Sequence, residues 1–304
     1  MVDLSLIKKL REETNCGIAD CNKALAACNN NIEEAIDWLR KKGLSSAAKK
    51  STRITTEGLI AIINKGKTAS MVEVNSETDF VARNDKFQEL ALHIAEAGLN
   101  VKDNNNFVEE VKGYSNIGDE ITNKIAVIGE NIQLRRGKTI NVEGNGLIVS
   151  YLHNVIAPNL GKIGVLLALK SDADEESLQE VGKQIAMHIA ASKPEFLKRE
   201  DVPEERINRE KQILMEQSST SGKPQDIIEK MITGRINKFY EQICLMDQIF
   251  VMDNDKRVSD VLKTFEKEKG KKIEIQEYCL YILGEGLEKK EENFAEEVAS
   301  MQKK

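Results

Sequence analysis

The sequence predicts an α+β protein built from several units: a small N-terminal three-helix module, a two-part core of related antiparallel sheet-plus-helix halves, a projecting helical hairpin and a C-terminal helix. Three observations predict this. Apolar residues recur at helical spacing over residues 4–42, before any strand-like run. Two strand–strand–helix patterns that share short sequence matches then follow. From Lys193 the pattern changes to long amphipathic helices opened by prolines. The expected boundaries are residues 1–43 for the module, 44–56 for a linker and 57–143 for the first core half. The second half takes 144–195 and 245–283, the hairpin 196–244 and the C-terminal helical module 284–304.

Each element has its own signal. The first helix carries Leu6, Ile7 and Leu10, and the second Ile18, Cys21, Leu25 and Cys28. The third opens at Asn31 with Glu34 three residues on, a capping-box-like pair, and carries Ile32, Ala35, Ile36 and Leu39. Gly43 is the expected stop. A unit this small buries too little to house a catalytic pocket and reads as a recognition module. Residues 44–56 are small, polar and basic. Residues 58–63 and 68–74 flank Asn64-Lys65-Gly66-Lys67 and predict a hairpin. Asp85 with Gln88 is the expected cap of a helix bearing Phe87, Leu90, Ala91 and Ile94.

The layout then recurs. Strands at 146–153 and 163–169 precede a helix with Leu178, Val181, Ile185 and Ile189. Gly58-Leu59-Ile60 matches Gly146-Leu147-Ile148, and Leu92-His93-Ile94-Ala95 matches Met187-His188-Ile189-Ala190. Between the halves lie helices at 107–113 and around Ile117, Ile121 and Ile125, then a strand at 132–136. Pro203 and Pro224 open two helices, 203–217 and 224–243, joined by residues 218–223. Their apolar stripe fits either a protein contact or packing on their own core. Residues 249–252 return to strand character. A helix with Val258, Val261, Leu262 and Phe265 follows, then a strand at 273–283. Residues 291–302, with Phe294, Val298 and Met301, read as a terminal helix.

Composition removes several function classes. The 304 residues carry a formal net charge of −6 with Lys and Arg spread throughout, and only 5% aromatics. Nucleic-acid binders need a concentrated basic footprint or stacking platforms, so no direct nucleic-acid partner is expected. No apolar run reaches membrane-spanning length and no secretory signal opens the chain, so the expected location is the cytoplasm, away from membranes. The five cysteines form no Cys-x-x-Cys pair and read as buried apolar residues of a reducing compartment. The three histidines are His93, His153 and His188. The first and last occupy equivalent places in the repeat and read as packing residues, whereas His153 ends a strand and enters the loop 154–161. No Ser-His-Asp set, metal-ligand spacing, phosphate loop or dinucleotide fingerprint is present. The expectation is no catalytic residue, no metal, no cofactor and no enzyme.

One stretch stands out: Asn75-Ser76-Glu77-Thr78-Asp79-Phe80-Val81-Ala82-Arg83-Asn84. It places an acid and an aromatic side by side in a polar turn between strand and helix. An aromatic there often plugs the sheet–helix junction. The repeat argues otherwise, because the second half makes the same junction with residues 169–177 and no aromatic. Phe80 therefore reads as an interface anchor.

The residues also carry a family resemblance. Thr78-Asp79-Phe80-Val81-Ala82 after Glu73-Val74-Asn75 resembles the signature of the translation elongation factor Ts family. So do Leu10-Arg11-Glu12 with Thr14, Gly17, Asp20-Cys21 and Lys23-Ala24-Leu25, the segment 124–131, the run from Ile185 to Phe196, and Ser221-Gly222-Lys223-Pro224. The resemblance spans nearly the whole chain. It implies a ubiquitin-associated-like N-terminal module and a guanine nucleotide exchange factor for elongation factor Tu in translation elongation. Asp79 and Phe80 would be inserted near that GTPase's Mg²⁺ and phosphate site, framed by Thr78 and Val81. Ile128, Gly129 and His153 would line the same contact. The hairpin would be a homodimerisation element. Two rival readings stay open: a non-catalytic adaptor that uses only the N-terminal module, and an enzyme built from scattered carboxylates.

Overall fold

A computed structural model describes residues 2–14, 16–219 and 224–288. The terminal helix expected at 291–302 lies outside the described residues. The remainder is α+β.

Helices α1 (Leu4–Thr14), α2 (Ile18–Ala27) and α3 (Ile32–Lys50) form the N-terminal module. They close on one small core containing Leu10, Cys21, Ala24, Leu25 and Ala35. Asn31 caps α3 by accepting the Glu34 N–H at 3.3 Å. Gly43 does not stop the helix, which continues through it to Lys50. A Cβ at Gly43 would stand 3.6 Å from Ala126, an ordinary contact, so α3 packs here against a helix of the core. A small residue at a helix crossing and a helix-ending glycine look alike in sequence.

The first core half comprises β1 (Glu57–Asn64), β2 (Thr68–Ser76), α4 (Asp79–Ala82), α5 (Asp85–Gly98), α6 (Phe107–Gly113), α7 (Ile117–Ile128) and β3 (Ile132–Asn141). The second comprises β4 (Gly146–His153), β5 (Leu160–Gly161), β6 (Ile163–Ser171) and α8 (Glu175–Ser192). Helices α9 (Glu204–Ser219) and α10 (Gln225–Ile243) make the hairpin. The second half resumes after it with β7 (Ile249–Phe250), β8 (Asp253–Arg257), α11 (Val258–Lys269) and β9 (Ile273–Ile282).

Two antiparallel sheets stack, ordered β3-β2-β1-β5 and β4-β6-β9. Their facing sides share a core of Ile60, Met71, Ile140, Ile148 and Leu166. The outer face of the first sheet is covered by α4–α7 and that of the second by α8 and α11. The stacking brings the halves so close that a Cβ at Gly164 would fall 2.6 Å from both Ile60 and Met71.

The repeat is visible in backbone detail. Gly58 and Gly146 both have positive φ, +129° and +143°, and a side chain at either would run into the carbonyl of Val74 or Leu169 on the neighbouring strand. A bulge interrupts the pairing at Glu73/Val74 and again at Ala168/Leu169. β3 runs to Asn141, beyond the apolar part read from sequence, because its charged middle residues Arg135 and Arg136 turn onto the buried Glu73.

Two further expectations change, and one left open is resolved. Residues 249–252 are not one strand: the pairing stops at Phe250, a turn intervenes and β8 follows. The hairpin stripe packs largely on itself, through Leu214, Ile232 and Ile236 near the middle and Val202, Ile207, Ile243 and Cys244 at the base. Ile213, Met215 and Ile227 remain exposed. His188 is buried, its Nε2 2.9 Å from Gln248 Oε1, and burial lowers its pKa against the opposing Gln248 hydrogen bond. His93 is instead exposed, with Nδ1 2.6 Å from Glu120 Oε2, so the packing role holds for only one of the pair.

Candidate functional site: a clamped aromatic corner

Residues 79–82, read from sequence as part of a polar turn, form a single helical turn, α4. Phe80 is 79% exposed and Asp79 is exposed beside it. The next two residues do the opposite: Val81 and Ala82 are buried in the core shared by β1, β2 and α5. A one-turn helix cannot hold itself together. Here it is fixed from below by those two side chains and at its ends by hydrogen bonds.

At the downstream end Asn84, not Asp85, caps α5, accepting the N–H groups of Lys86 and Phe87 at 3.0 and 3.4 Å. The Gln88 amide donates to the Ala82 carbonyl at 3.0 Å. At the upstream end Thr78 is the N-cap residue of α4, but its side chain makes no capping bond to the helix. Its hydroxyl donates instead to Glu130 Oε1 at 2.7 Å. Glu130 Oε2 accepts the N–H groups of Glu77 and Thr78 at 3.1 and 3.0 Å.

Glu130 follows Gly129, which ends α7 in the left-handed conformation at φ 90° and ψ 0°. Glycine adopts that conformation without Cβ strain. The contact is reciprocal: the Asn131 N–H donates to Glu77 Oε1 at 2.6 Å. The Asn131 amide also donates to the Arg53 carbonyl at 2.9 Å, and the Arg53 guanidinium reaches Glu77 at 3.3 Å. The strand end, the α7–β3 turn and the chain leaving α3 thus meet in one knot.

The structure brings Thr78, Asp79, Phe80, Ile128 and Gly129 into one neighbourhood through Glu130. Ile128 is half-buried against the first core and Gly129 is exposed. His153 ends β4 in the other sheet, exposed, with Nδ1 3.1 Å from the Tyr151 hydroxyl. Among the described residues no hydrogen bond joins it to the corner. The loop after it has a structural task that the sequence did not reveal: it delivers β5 to the edge of β1 in the first sheet. Its Val155 is exposed. Sequence reading also missed Glu77, Glu130 and Asn131 as a set. The only signal was an acid directly after a helix-ending glycine.

Among the described residues no group of three or more His, Cys, Asp or Glu side chains is placed to hold a metal ion. All five cysteines are free thiols, and four of them are buried. Burial pushes the thiols of Cys244 and Cys279 up to about 11, the opposite of the shift that makes a nucleophile. No helix of the described residues is long and apolar enough to cross a membrane.

Fold and corner together define the class: an α+β protein of two stacked, related sheet-and-helix halves, carrying a helical module before them and a helical hairpin within them. Comparison with known proteins gives the particular family. Residues 77–285 match the family model described as Elongation factor TS. The chain is 47% identical to elongation factor Ts of Rhodospirillum rubrum over 100% of its length and 99% of the relative's. It is likewise 47% identical to those of Paramagnetospirillum magneticum, over 98% and 96%, and of Caulobacter vibrioides, over 99% and 98%. The chain belongs to the elongation factor Ts family and is a translation elongation factor.

Proposed function

We propose that this elongation factor is a guanine nucleotide exchange factor for elongation factor Tu. It engages the GDP-bound GTPase, inserts Asp79 and Phe80 beside the Mg²⁺ and phosphate site, promotes GDP release and is displaced when GTP binds. The observation that carries this reading is Phe80, 79% exposed on a turn whose next two residues are anchored in the core. A large apolar side chain held out rigidly loses little freedom on binding and gains the burial of its ring.

The physics requires no reactive group on this chain. GDP is held largely through its phosphates and the bound ion, often the largest local charge in such a site. A partner that binds the distorted or empty state better than the GDP-bound state shifts the equilibrium by that difference. The coupling is reciprocal, so nucleotide rebinding weakens the factor's hold. Thr78 and Val81 serve by holding the pair in place, and Ile128, Gly129 and His153 extend the contact. The N-terminal module adds a further contact, the hairpin pairs two copies, and the protein works in the cytoplasm.

The test is release of fluorescently labelled GDP from elongation factor Tu. Acceleration by the wild-type chain is expected. No acceleration at saturating concentration sinks the exchange reading. Binding without acceleration favours the adaptor reading in its place.

A further inference from the structure

We infer that Glu130 is a positioning residue for the Asp79–Phe80 corner, fixing the pair through the backbone of the residues before it. The inference rests on the exchange reading for its consequence, but its geometry stands independently. The carboxylate uses both oxygens on one target, taking the N–H groups of Glu77 and Thr78 on Oε2 and the Thr78 hydroxyl on Oε1. Those donors lie on the two residues that lead into α4, whose N–H groups the one-turn helix cannot pair. A carboxylate placed there satisfies them through charge-assisted hydrogen bonds.

The second half supplies the control. The same number of residues separates Ser76 from His93 and Ser171 from His188. The equivalent helix there is started by a local cap. The Ala173 N–H is taken by Ser171 Oγ at 3.1 Å, and Asp174 caps α8 by accepting the Ser177 N–H at 2.8 Å. Outside residues do reach this segment, the Lys272 carbonyl accepting from the Ser171 hydroxyl at 2.6 Å and Asn145 donating to Asp172 at 2.6 Å, but the helix start itself is capped from within. In the first half Thr78 makes no cap to its own helix, and its hydroxyl and N–H are held instead by a carboxylate 52 positions along the chain. Its placement depends on the end of α7 and on Asn131, which also binds the chain leaving α3. The corner is therefore set by a tertiary knot, and a disturbance of the α7–β3 turn reaches Phe80 without touching it.

The experiment is a mutant cycle read in GDP release, with amide exchange alongside. Glu130→Ala is expected to lower the maximal release rate about tenfold. The concentration for half-maximal effect should move much less. Glu130→Gln should restore part of the loss, because its amide oxygen still accepts an N–H. On a Phe80→Leu background, which leaves residual activity to measure, Glu130→Ala should add little, because two residues acting as one unit are not additive.

Full activity in Glu130→Ala overturns the inference, and so does an undiminished tenfold loss on the Phe80→Leu background. The thermal midpoint of each variant separates positioning from collapse. If the wild-type chain fails to accelerate release, the exchange reading falls by itself. Amide exchange then decides the positioning claim: lost protection at Glu77 and Thr78 in Glu130→Ala upholds it, and retained protection overturns it.

Discussion

The two strand-to-helix junctions of the core are made from equal lengths of chain and reach different ends. In the second half the segment after Ser171 becomes one unbroken helix, Glu175–Ser192, started by its own Asp174. In the first half the equivalent segment is cut into α4 and α5, with Asn84 restarting the helix. The second junction leaves only Glu175 and Glu176 in its first turn, an ordinary solvated acidic start. The first leaves Asp79 and Phe80 standing out from the fold. The comparison teaches that a break in a helix, stabilised from elsewhere, can convert a routine connection into a presented surface.

The largest effect expected from breaking the comparison falls on activity. Phe80→Ala should reduce stimulated GDP release about thirtyfold, the scale of a hot-spot residue. The thermal midpoint should not move, since the ring covers almost nothing of its own fold. Glu175→Phe, which puts an aromatic at the equivalent place in the second half, should leave release unchanged. Equal activity in Phe80→Ala and wild type would remove the wedge assignment while leaving the fold intact.

Next comes the packing beneath the two helices. Phe87 is fully buried under α5. Its counterpart at the same distance from the junction is Gly182, where a Cβ would fall 2.4 Å from Val149 and 2.9 Å from Leu169. The helix in the first half buries a phenyl ring at the place where the other has no room for a methyl group. Phe87→Ala should therefore cost about 4 kcal/mol, read from urea unfolding, through lost burial and a cavity. A cost below about 1 kcal/mol would mean that α5 can settle onto the sheet as α8 does.

A third difference lies at the bulges. Glu73 and Ala168 precede equivalent interruptions of the pairing. Glu73 is fully buried, with Arg135 at 3.0 Å, Arg136 at 2.6 Å and the Gly284 N–H at 2.9 Å. Burial pushes its pKa up, and the Gly284 N–H, Arg136 and the Asn75 amide together outweigh that, so the net shift is downward. A carboxylate lowered in the folded state contributes stability that is present above its unfolded value, about pH 4.3, and is lost as pH falls through the folded value. Glu73→Ala takes the buried carboxylate from two guanidiniums, leaving Arg136 only Glu285 as an acidic partner, and should cost about 3 kcal/mol at neutral pH. Because the loss is already present, the variant's stability should fall less steeply than the wild type's once the pH drops below about 4. Parallel acid limbs in the two proteins would contradict this.

Much of the fold was legible because it rests on local periodicity. Leu90, Ala91 and Ile94 announce α5, Gly58 and Gly146 mark the repeat, and every core helix named from sequence forms among the described residues. What escaped depends on contacts between distant segments. Nothing near Glu73 says that Arg135 and Arg136 will turn inward to meet it. Gly43 could not be told from a helix stop without knowing that Ala126 would lie against it. His93 and His188 are matched in sequence, yet only His188 is covered, because Gln248 and Phe250 return over the second helix after the hairpin. At the corner, the exposed pair was legible as an oddity of composition. The knot that holds it was not, since Glu77, Glu130 and Asn131 are ordinary polar residues until the fold joins them.

The smallest expected effect bears on the break itself. Asn84 caps α5, whereas the equivalent residue of the second half, Gln179, sits inside α8. Asn84→Ala removes that cap and should cost about 1 kcal/mol. Alanine is also the best residue for continuing a helix, and the two segments are of equal length, so the substitution favours fusion of α4 with α5. Fusion is opposed by Val81 and Ala82, whose burial depends on the one-turn geometry, and by the Gln88 bond to the Ala82 carbonyl. The burial of a valine side chain, about 1.5–3 kcal/mol, exceeds the propensity gained, so the corner should persist and GDP release should fall by less than about threefold. If helicity by circular dichroism rises while release collapses toward the Phe80→Ala level, the first junction has become the second, and burial of Val81 does not outweigh helix continuation.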